Sequence, residues 1–407
     1  MVMVRPFQAL QPTTERVIEV AAVPYDVVNS EEARLLAAGN PWSLLHVSRP
    51  EIDLPVDTDL YSDEVYQKGL ENFQRLQQEV PLTLEESPML YVYRLKMGEH
   101  TQIGVVGCCP VDEYDNDIIK KHEKTRKDKE DDRTRHIITL RAQTGPVFLT
   151  YRGQIEINQI VEEVIATKPY FDFVASDSIS HTIWKVSDTE KLAKAFEAVP
   201  LSYIADGHHR AASASRARAS LKAENPNHTG TEEYNYFLAV MFPSDQLRIL
   251  PYNRVVKDLN NNSEIDFVAA IEKDFVVTEN APASPVNKGE FSMYLNKKWY
   301  GLSPKEKTSS QNVIDSLDVS ILQNNLLAPI LNIQDPRTDK RIDFVGGIRG
   351  TEELEKLVDS GKVQVAFSLY PTTLDDLMNI ADANEIMPPK STWFEPKLRS
   401  GMLIHLI

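Results

Sequence analysis

The sequence predicts a mixed α/β architecture, closer to the α+β kind than to a doubly wound parallel sheet. Three observations predict it. Segments with strand periodicity and segments with helix periodicity interleave along all 407 residues. Several strand pairs are separated only by a short turn, which makes antiparallel hairpins rather than βαβ crossovers. With 42% hydrophobic and 26% charged residues, the composition is that of a folded globular chain and not of a disordered one. At about 150 residues per domain the length accommodates two or three domains. We read three segments: an α/β segment over 1–115, a central core over 116–280, and a C-terminal α/β segment over 281–407 that closes the site.

Each element follows from its residues. The β-rich run 17–23 reads as a short strand stopped by Pro24. Ser30 caps a helix over 31–38, with acids in its first turn and Gly39 as its stop. Val65, Tyr66, Leu70, Phe73 and Leu76 recur at helical spacing and predict a helix over 63–78. Segments 89–96 and 102–109 form a hairpin around Gly98. In 120–135, thirteen of sixteen residues are charged with both signs mixed, the pattern of a solvated helix face. Strand-like 146–151 precedes a helix at 159–166, extended 181–186, and a helix capped by Asp188 that runs to 197. A short strand over 202–205 enters a turn, and an Ala/Arg-rich helix fills 211–223. Strands are expected at 236–242 and 248–251, and a helix at 267–275. The Pro/Ala/Ser stretch 281–285 is the most linker-like. A hairpin over 291–302, a helix over 313–330, a strand over 363–369 and a helix over 372–383 complete the chain. The last helix is marked by Leu374, Leu377, Met378 and Ala381.

Charge and composition exclude some functions. Forty-four Lys and Arg stand against sixty Asp and Glu, a formal net charge of −16. Such a chain is poorly suited to sequence-independent DNA binding, which neutralises phosphates with basic side chains. No apolar run approaches the roughly 20 residues needed to span a bilayer. The N-terminal stretch lacks the basic start, apolar middle and small-residue cleavage site of an export signal. Adjacent Cys108 and Cys109 would point to opposite faces of a strand, so no bridge joins them. The expectation is a cytoplasmic protein with no nucleic-acid or membrane partner. A homodimer is left open.

Four clusters bear chemistry. In Asp206-Gly207-His208-His209-Arg210 a strand ends, Gly207 permits a tight turn and a helix begins. Backbone N–H groups and the helix dipole then face whatever lies before the turn, which suits an anion. Arg210 can hold phosphate oxygens as a fork, and the histidines can donate to phosphate or shuttle a proton. Asp206 can hold a metal ion or orient a hydroxyl. The alternatives are a strand–turn–helix joint whose histidines only cap and pack, and a structural zinc site, which the lack of a His-x-x-x-His partner disfavours. The second cluster is His122-Glu123-x-Thr125, inside the charge run. A carboxylate there can deprotonate a substrate hydroxyl while lysines neutralise phosphate, and the alternative is again a solvated helix. The third is Lys390-Ser391-Thr392 with Lys397, a phosphate or carboxylate clamp stiffened by Pro389 and Pro396, or else an ordered tail packed on Trp393 and Phe394. The fourth, Pro24-Tyr25-Asp26, either lines a site or forms a turn. Gly346-Gly347-Ile348-Arg349-Gly350 lacks the strand–helix context of a dinucleotide loop and reads as a turn.

The Asp-Gly-His-His-Arg box resembles the Gly-(Cys/His)-His-Arg turn of the ParB/sulfiredoxin-like fold. It is most similar to that of the free serine kinases of that superfamily. A longer series resembles, nearly end to end, a large bacterial and archaeal family catalogued as a domain of unknown function. It comprises His122-Glu123-x-Thr125, Gly145-Pro146-Val147-Phe148, the box itself and Lys390-Ser391-Thr392-x-Phe394-x-Pro396-Lys397. Arg5-Pro6-Phe7, Pro24-Tyr25-Asp26-Val27-Val28 and Met387-Pro388-Pro389 fit that family's two ends. The resemblance implies a ParB/sulfiredoxin-like core with flanking α/β segments. It implies a phosphotransferase that moves phosphate from ATP or ADP, with Mg²⁺, to a small hydroxylated or anionic metabolite, free serine first. In that reading Gly207, His208 and Arg210 cradle phosphates, and Lys390, Ser391, Thr392 and Lys397 bind anions. Asp206 holds the metal, and Glu123, His122 and His209 act in catalysis. Lys120, Lys121, Lys124, Arg210, Lys390 and Lys397 would form a basic pocket in an acidic body. One departure stands out: in the serine kinases the catalytic Glu lies much nearer the turn, whereas Glu123 stands 83 positions before Asp206. His208 occupies the place of the redox branch's cysteine, which disfavours sulfiredoxin-type chemistry. A non-catalytic nucleotide-binding regulator and a phosphoester hydrolase remain as alternatives.

Overall fold

The computed structural model describes residues 1–80, 82–306 and 312–407. These form a mixed α/β chain that divides into two compact units, 1–247 with 396–407, and 248–395. The sequence suggested three segments. Strands Tyr91–Met97 and His100–Pro110 join the same sheet as Ser202–Asp206 and Tyr236–Pro243, so a boundary at 115 would cut that sheet. The stretch 281–285 connects two strands of one sheet in the second unit and is not an interdomain linker.

The first unit is built on an eight-stranded sheet. Its spatial order is Ile119–Lys120, Ser202–Asp206, Val147–Tyr151, Tyr236–Pro243, His100–Pro110, Tyr91–Met97, Ser180–Lys185 and Phe171–Val174. Neighbours run antiparallel except at the Ile119–Lys120/Ser202–Asp206 and Val147–Tyr151/Tyr236–Pro243 pairs. The predicted hairpin turns at Gly98, whose φ is +59°. Val92, Val105, Leu149, Ile204 and Met241 from the sheet share one core with Ile157, Leu192 and Phe196 from the helices. Gly104 is fixed by crowding: a Cβ there would lie 2.8 Å from the Met241 carbonyl and from the Phe242 ring. Both cysteines are fully buried and unbridged, and burial raises their pKa values well above the ordinary thiol range.

A second, four-stranded sheet orders Thr83–Leu84, Ala9–Gln11, Ile404–Leu406 and Ala142–Gln143. The C-terminal strand is therefore an interior strand of the first unit. Around it, Val20, Ala33, Leu44, Phe73, Leu76, Leu140 and Ile404 make a separate core. Helix Asp63–Glu79 buries Val65, Tyr66, Phe73 and Leu76 as the spacing predicts. The expected strand over 17–23 is instead a short helix, Val17–Val20. Val17 and Val20, at i and i+3, are buried while Ile18 is 50% exposed, so packing one helical face overrode local β-propensity.

The charge run resolves into strand Ile119–Lys120, an irregular stretch, and helix Lys127–Leu140. That helix packs against helix His208–Glu224. Arg216 pairs with Glu130 and Asp131 across the contact, and Ser213 Oγ donates to the Glu130 carbonyl at 3.2 Å. Alanines at 211, 212, 214 and 217 present small buried surfaces on the second helix.

In the second unit a six-stranded antiparallel sheet orders Phe275–Glu279, Lys298–Pro304, Phe291–Leu295, Val365–Leu369, Tyr252–Val256 and Ile342–Gly346. The helix expected over 313–330 is shorter: an α-turn, Asp318–Leu322, runs into a π-turn, Gln323–Leu327. Helix Leu374–Asp382 starts with a capping box between Thr373 and Asp376. No described helix is long and apolar enough to cross a membrane.

Candidate active site

The strand Ser202–Asp206 is pinned between Ile119–Lys120 and Val147–Tyr151, and it delivers Asp206 to the rim of the sheet. Gly207 then takes φ +91° and caps helix His208–Glu224. A left-handed residue with a side chain would be strained here, and a Cβ would sit 3.1 Å from the Arg210 guanidinium. The turn leaves the first N–H groups of a 17-residue helix without intrahelical partners.

Arg210 anchors the turn. It donates to the Pro146 carbonyl, to Asp26 Oδ2 at 3.3 Å and to Asp206 Oδ2 at 3.5 Å. Its Nε is buried and has no hydrogen-bond partner among the described residues. Burial opposes its charge, but Asp26 and Asp206 more than compensate and raise its pKa. Lys397 Nζ lies 3.5 Å from the same Oδ2 of Asp206. Burial would raise the pKa of Asp206, yet Lys397 and Arg210 hold it down to about 2. Both cations meet Oδ2.

The histidines are neutral at physiological pH. His122 is 2% exposed and packs edge-on against His208, with ring centroids 4.5 Å apart. Burial pushes His122 well below the ordinary imidazole range and His208 to about 3, despite Asp206 nearby. Any hydrogen bond they offer is therefore that of a neutral imidazole and not of a cation. His208 Nδ1 lies 3.7 Å from Glu123 Oε2, and the Glu123 side chain is 45% exposed. His209 Nε2 accepts from the Arg126 backbone N–H at 3.0 Å, so neutral His209 carries its proton on Nδ1. Thr125 Oγ1 donates to Glu130.

The fold thus brings His122, Glu123, Asp206, Gly207, His208, His209, Arg210 and Lys397 together. Other predicted basic residues are used elsewhere. Lys121 pairs with Asp117 at 2.7 Å and donates to the Tyr114 carbonyl. Lys124 is exposed. Lys390, Ser391 and Thr392 belong to the second unit, where Ser391 Oγ donates to the Pro388 carbonyl at 2.6 Å. Asp26 meets Arg210 from the one-turn 3-10 helix Tyr25–Val27, so the segment weighed as lining or turn is a turn that touches this arginine.

A half-open cleft adjoins Arg210, lined among others by Tyr25, Arg133, Thr144, Gly145 and Ser400. Arg133 stacks on Tyr25 at 4.3 Å and pairs with Asp132 at 2.9 Å. Ser48 Oγ is buried there with no hydrogen-bond partner among the described residues. Sequence reasoning gave no site role to Arg133, inside the charge run, or to His136, just after it. The signal was present: Asp132, His136 and Leu140 recur at i+4 and all are buried.

Among the described residues no group of three or more His, Cys, Asp or Glu could hold a metal ion. Magnesium carried by substrate phosphates is usually held through one or two protein carboxylates, and ionised Asp206 is such a carboxylate at the turn.

The model of a family described as "Protein of unknown function (DUF1015)" matches residues 4–320. No curated protein matches the chain. Among solved structures, a free serine kinase variant in complex with AMP is similar at 13% identity and TM-score 0.36, covering 72% of this chain and 87% of that one. A variant in complex with ADP is similar at 15% identity and TM-score 0.36, with the same coverage. SbnI with C-terminal truncation from Staphylococcus aureus is similar at 11% identity and TM-score 0.39, covering 74% and 87%.

Proposed function

This chain belongs to the DUF1015 family, and from its Asp206–Arg210 site we propose that it is a small-molecule phosphotransferase. The observation that carries this reading is one convergence of groups. A long helix's N-terminus lies beside an ionised Asp206 flanked by Arg210 and Lys397, and Glu123 stands at the edge of the same turn.

Phosphoryl transfer needs positioning and charge neutralisation more than covalent help from the protein. The first N–H groups of the helix and Arg210 bind the oxygens of the donor nucleotide's terminal phosphates. Glu123, half in solvent, takes the proton of an acceptor hydroxyl. The acceptor oxygen bonds to phosphorus as the bond to the leaving phosphate oxygen breaks, and the nucleotide departs one phosphate shorter. Lys397 and Arg210 neutralise the charge that builds on the leaving oxygen. Neutral His208 and His122 form the uncharged wall behind Glu123, and Asp26 keeps Arg210 in place. Magnesium entering on the donor phosphates would be held by Asp206 and would supply further charge neutralisation. Free L-serine is the first acceptor to test, because the Asp-Gly-His-His-Arg box resembles that of the free serine kinases.

The test incubates the protein with Mg-ATP or Mg-ADP and a set of small hydroxylated metabolites that includes L-serine. Mass spectrometry then looks for a phosphorylated product. We expect an acceptor-dependent product whose rate falls about 100-fold or more in Glu123→Gln, with nucleotide affinity retained. Nucleotide binding without turnover under any acceptor would replace this reading with a nucleotide-binding regulator. Phosphate release from phosphoserine without nucleotide would replace it with a hydrolase.

A further inference from the structure

The second unit contains a charge that the mechanism above does not use. Arg254 lies on the sheet strand Tyr252–Val256 and is only 4% exposed. Among the described residues no carboxylate pairs with it. Its guanidinium donates to two carbonyls, those of Tyr252 and of Lys390, the latter at 3.0 Å. Its carbon lies 5.3 Å from the centre of the Phe344 ring. A buried cation satisfied only by neutral groups is costly, because attraction to an opposite charge is what normally offsets its desolvation. Burial accordingly lowers the Arg254 pKa to about 10.

This guanidinium lines a small cleft whose walls include Val319, Gln323, Leu327, Phe344 and Pro388. Gln323 and Leu327 begin and end the π-turn, and such turns are frequent at functional sites. The Gln323 side-chain amide donates one N–H to the Ile333 carbonyl at 2.7 Å, which leaves at most one further N–H for a ligand. On the other side, Lys390 adopts a left-handed φ of +59° while its carbonyl receives Arg254. Ser391 Oγ bonded to the Pro388 carbonyl and Thr372 Oγ1 bonded to the Ser391 carbonyl hold that segment. A non-glycine residue kept in this conformation by surrounding bonds is a mark of a built site.

We propose that this cleft is a binding pocket for a small monocarboxylate with a short apolar substituent. Arg254 would supply the fork, and Val319, Leu327 and Phe344 the apolar wall. One positive charge, few further donors and a small greasy chamber match a planar monoanion. A phosphate dianion would want more donors. The proposal does not depend on the phosphotransferase reading, since every residue in it lies within 248–395.

The test follows thermal unfolding of the full chain, at ionic strength fixed with chloride, under titration with acetate, butyrate, pyruvate or inorganic phosphate. Butyrate and pyruvate should raise Tm saturably, and more than acetate does. Arg254→Met should weaken that binding at least tenfold, the loss expected for a charged hydrogen-bond pair. Should Arg254→Met not fold, Val319→Phe decides: it keeps the arginine, fills the chamber and should abolish the response. Asp206→Asn should leave the response intact. No saturable shift with any carboxylate overturns the proposal. So does a response confined to phosphate, one unchanged in Arg254→Met and Val319→Phe, or one lost in Asp206→Asn.

Discussion

Arg210 shows how much one side chain can organise. It ties the turn to Asp26, Asp206 and the Pro146 carbonyl, three points far apart in sequence. A lysine keeps the charge but not the fork. Arg210→Lys should therefore weaken nucleotide binding about tenfold or more while the chain stays folded, measured by isothermal titration. Unchanged affinity would remove Arg210 from the phosphate-binding role. Gly207 works by what it lacks. Gly207→Ala places a Cβ in left-handed backbone and against the guanidinium, and should cost about 1–2 kcal/mol in urea unfolding as well as displacing Arg210. At this scale the sequence was informative about residue type and silent about environment. It identified both histidines of the box, yet only their burial in the fold explains why neither is charged.

Elements were legible where local and tertiary preferences agreed. Helices Asp63–Glu79 and Leu374–Asp382 and the hairpin at Gly98 follow their sequence patterns closely. They failed where a neighbour decided. Val17–Val20 became helical because two valines one turn apart had a core to enter. The charge run reads as solvated because most charged residues are. It is in fact an interface, with Asp132 accepting from Tyr66 at 2.9 Å and Glu130 facing Arg216. Two substitutions probe the elements. Asn29 completes a capping box with Glu32, so Asn29→Ala should cost about 1 kcal/mol of stability without touching the site. Gly104→Val forces a side chain into the Met241 carbonyl and the Phe242 ring, and should cost about 1–3 kcal/mol or more, read as a lowered denaturation midpoint. A neutral effect would mean the central strands yield more easily than their spacing indicates.

Over the whole first unit, burial of titratable groups makes stability depend on pH. His136 is lowered to about 4 by burial and by Arg133, His181 to about 3 and His208 to about 3, chiefly by burial, and His122 well below its ordinary value. The unfolded chain binds these protons near pH 6.5 and the folded chain does not, so acid favours unfolding from about pH 6.5 downward. Asp206, held at about 2, acts with the same sign at lower pH: its contribution is present above about pH 3.9 and is lost as pH falls toward 2. Glu113, raised by burial to about 7, works the other way but is one group against the four histidines and Asp206. The urea midpoint should fall steadily between pH 7 and pH 4.5. A level or rising midpoint would contradict the neutral assignment of the histidines.

The sequence by itself determined the fold class, most helices and strands, and the box in which a strand, a glycine turn and a helix meet. These depend on periodicity and on backbone chemistry that neighbouring residues carry with them. Only the tertiary structure decided which charges share a site. Asp26, Glu123, Asp206 and Lys397 are scattered over the chain, and no local pattern brings them to one turn. The central sheet does that: it carries Asp206 to its rim, while the returning C-terminal strand keeps 396–407 within the first unit. Lys390 resembles Lys397 in sequence and in residue type. The chain crosses between units at Pro396, so the two lysines belong to different environments, one over Tyr252 and one beside Asp206.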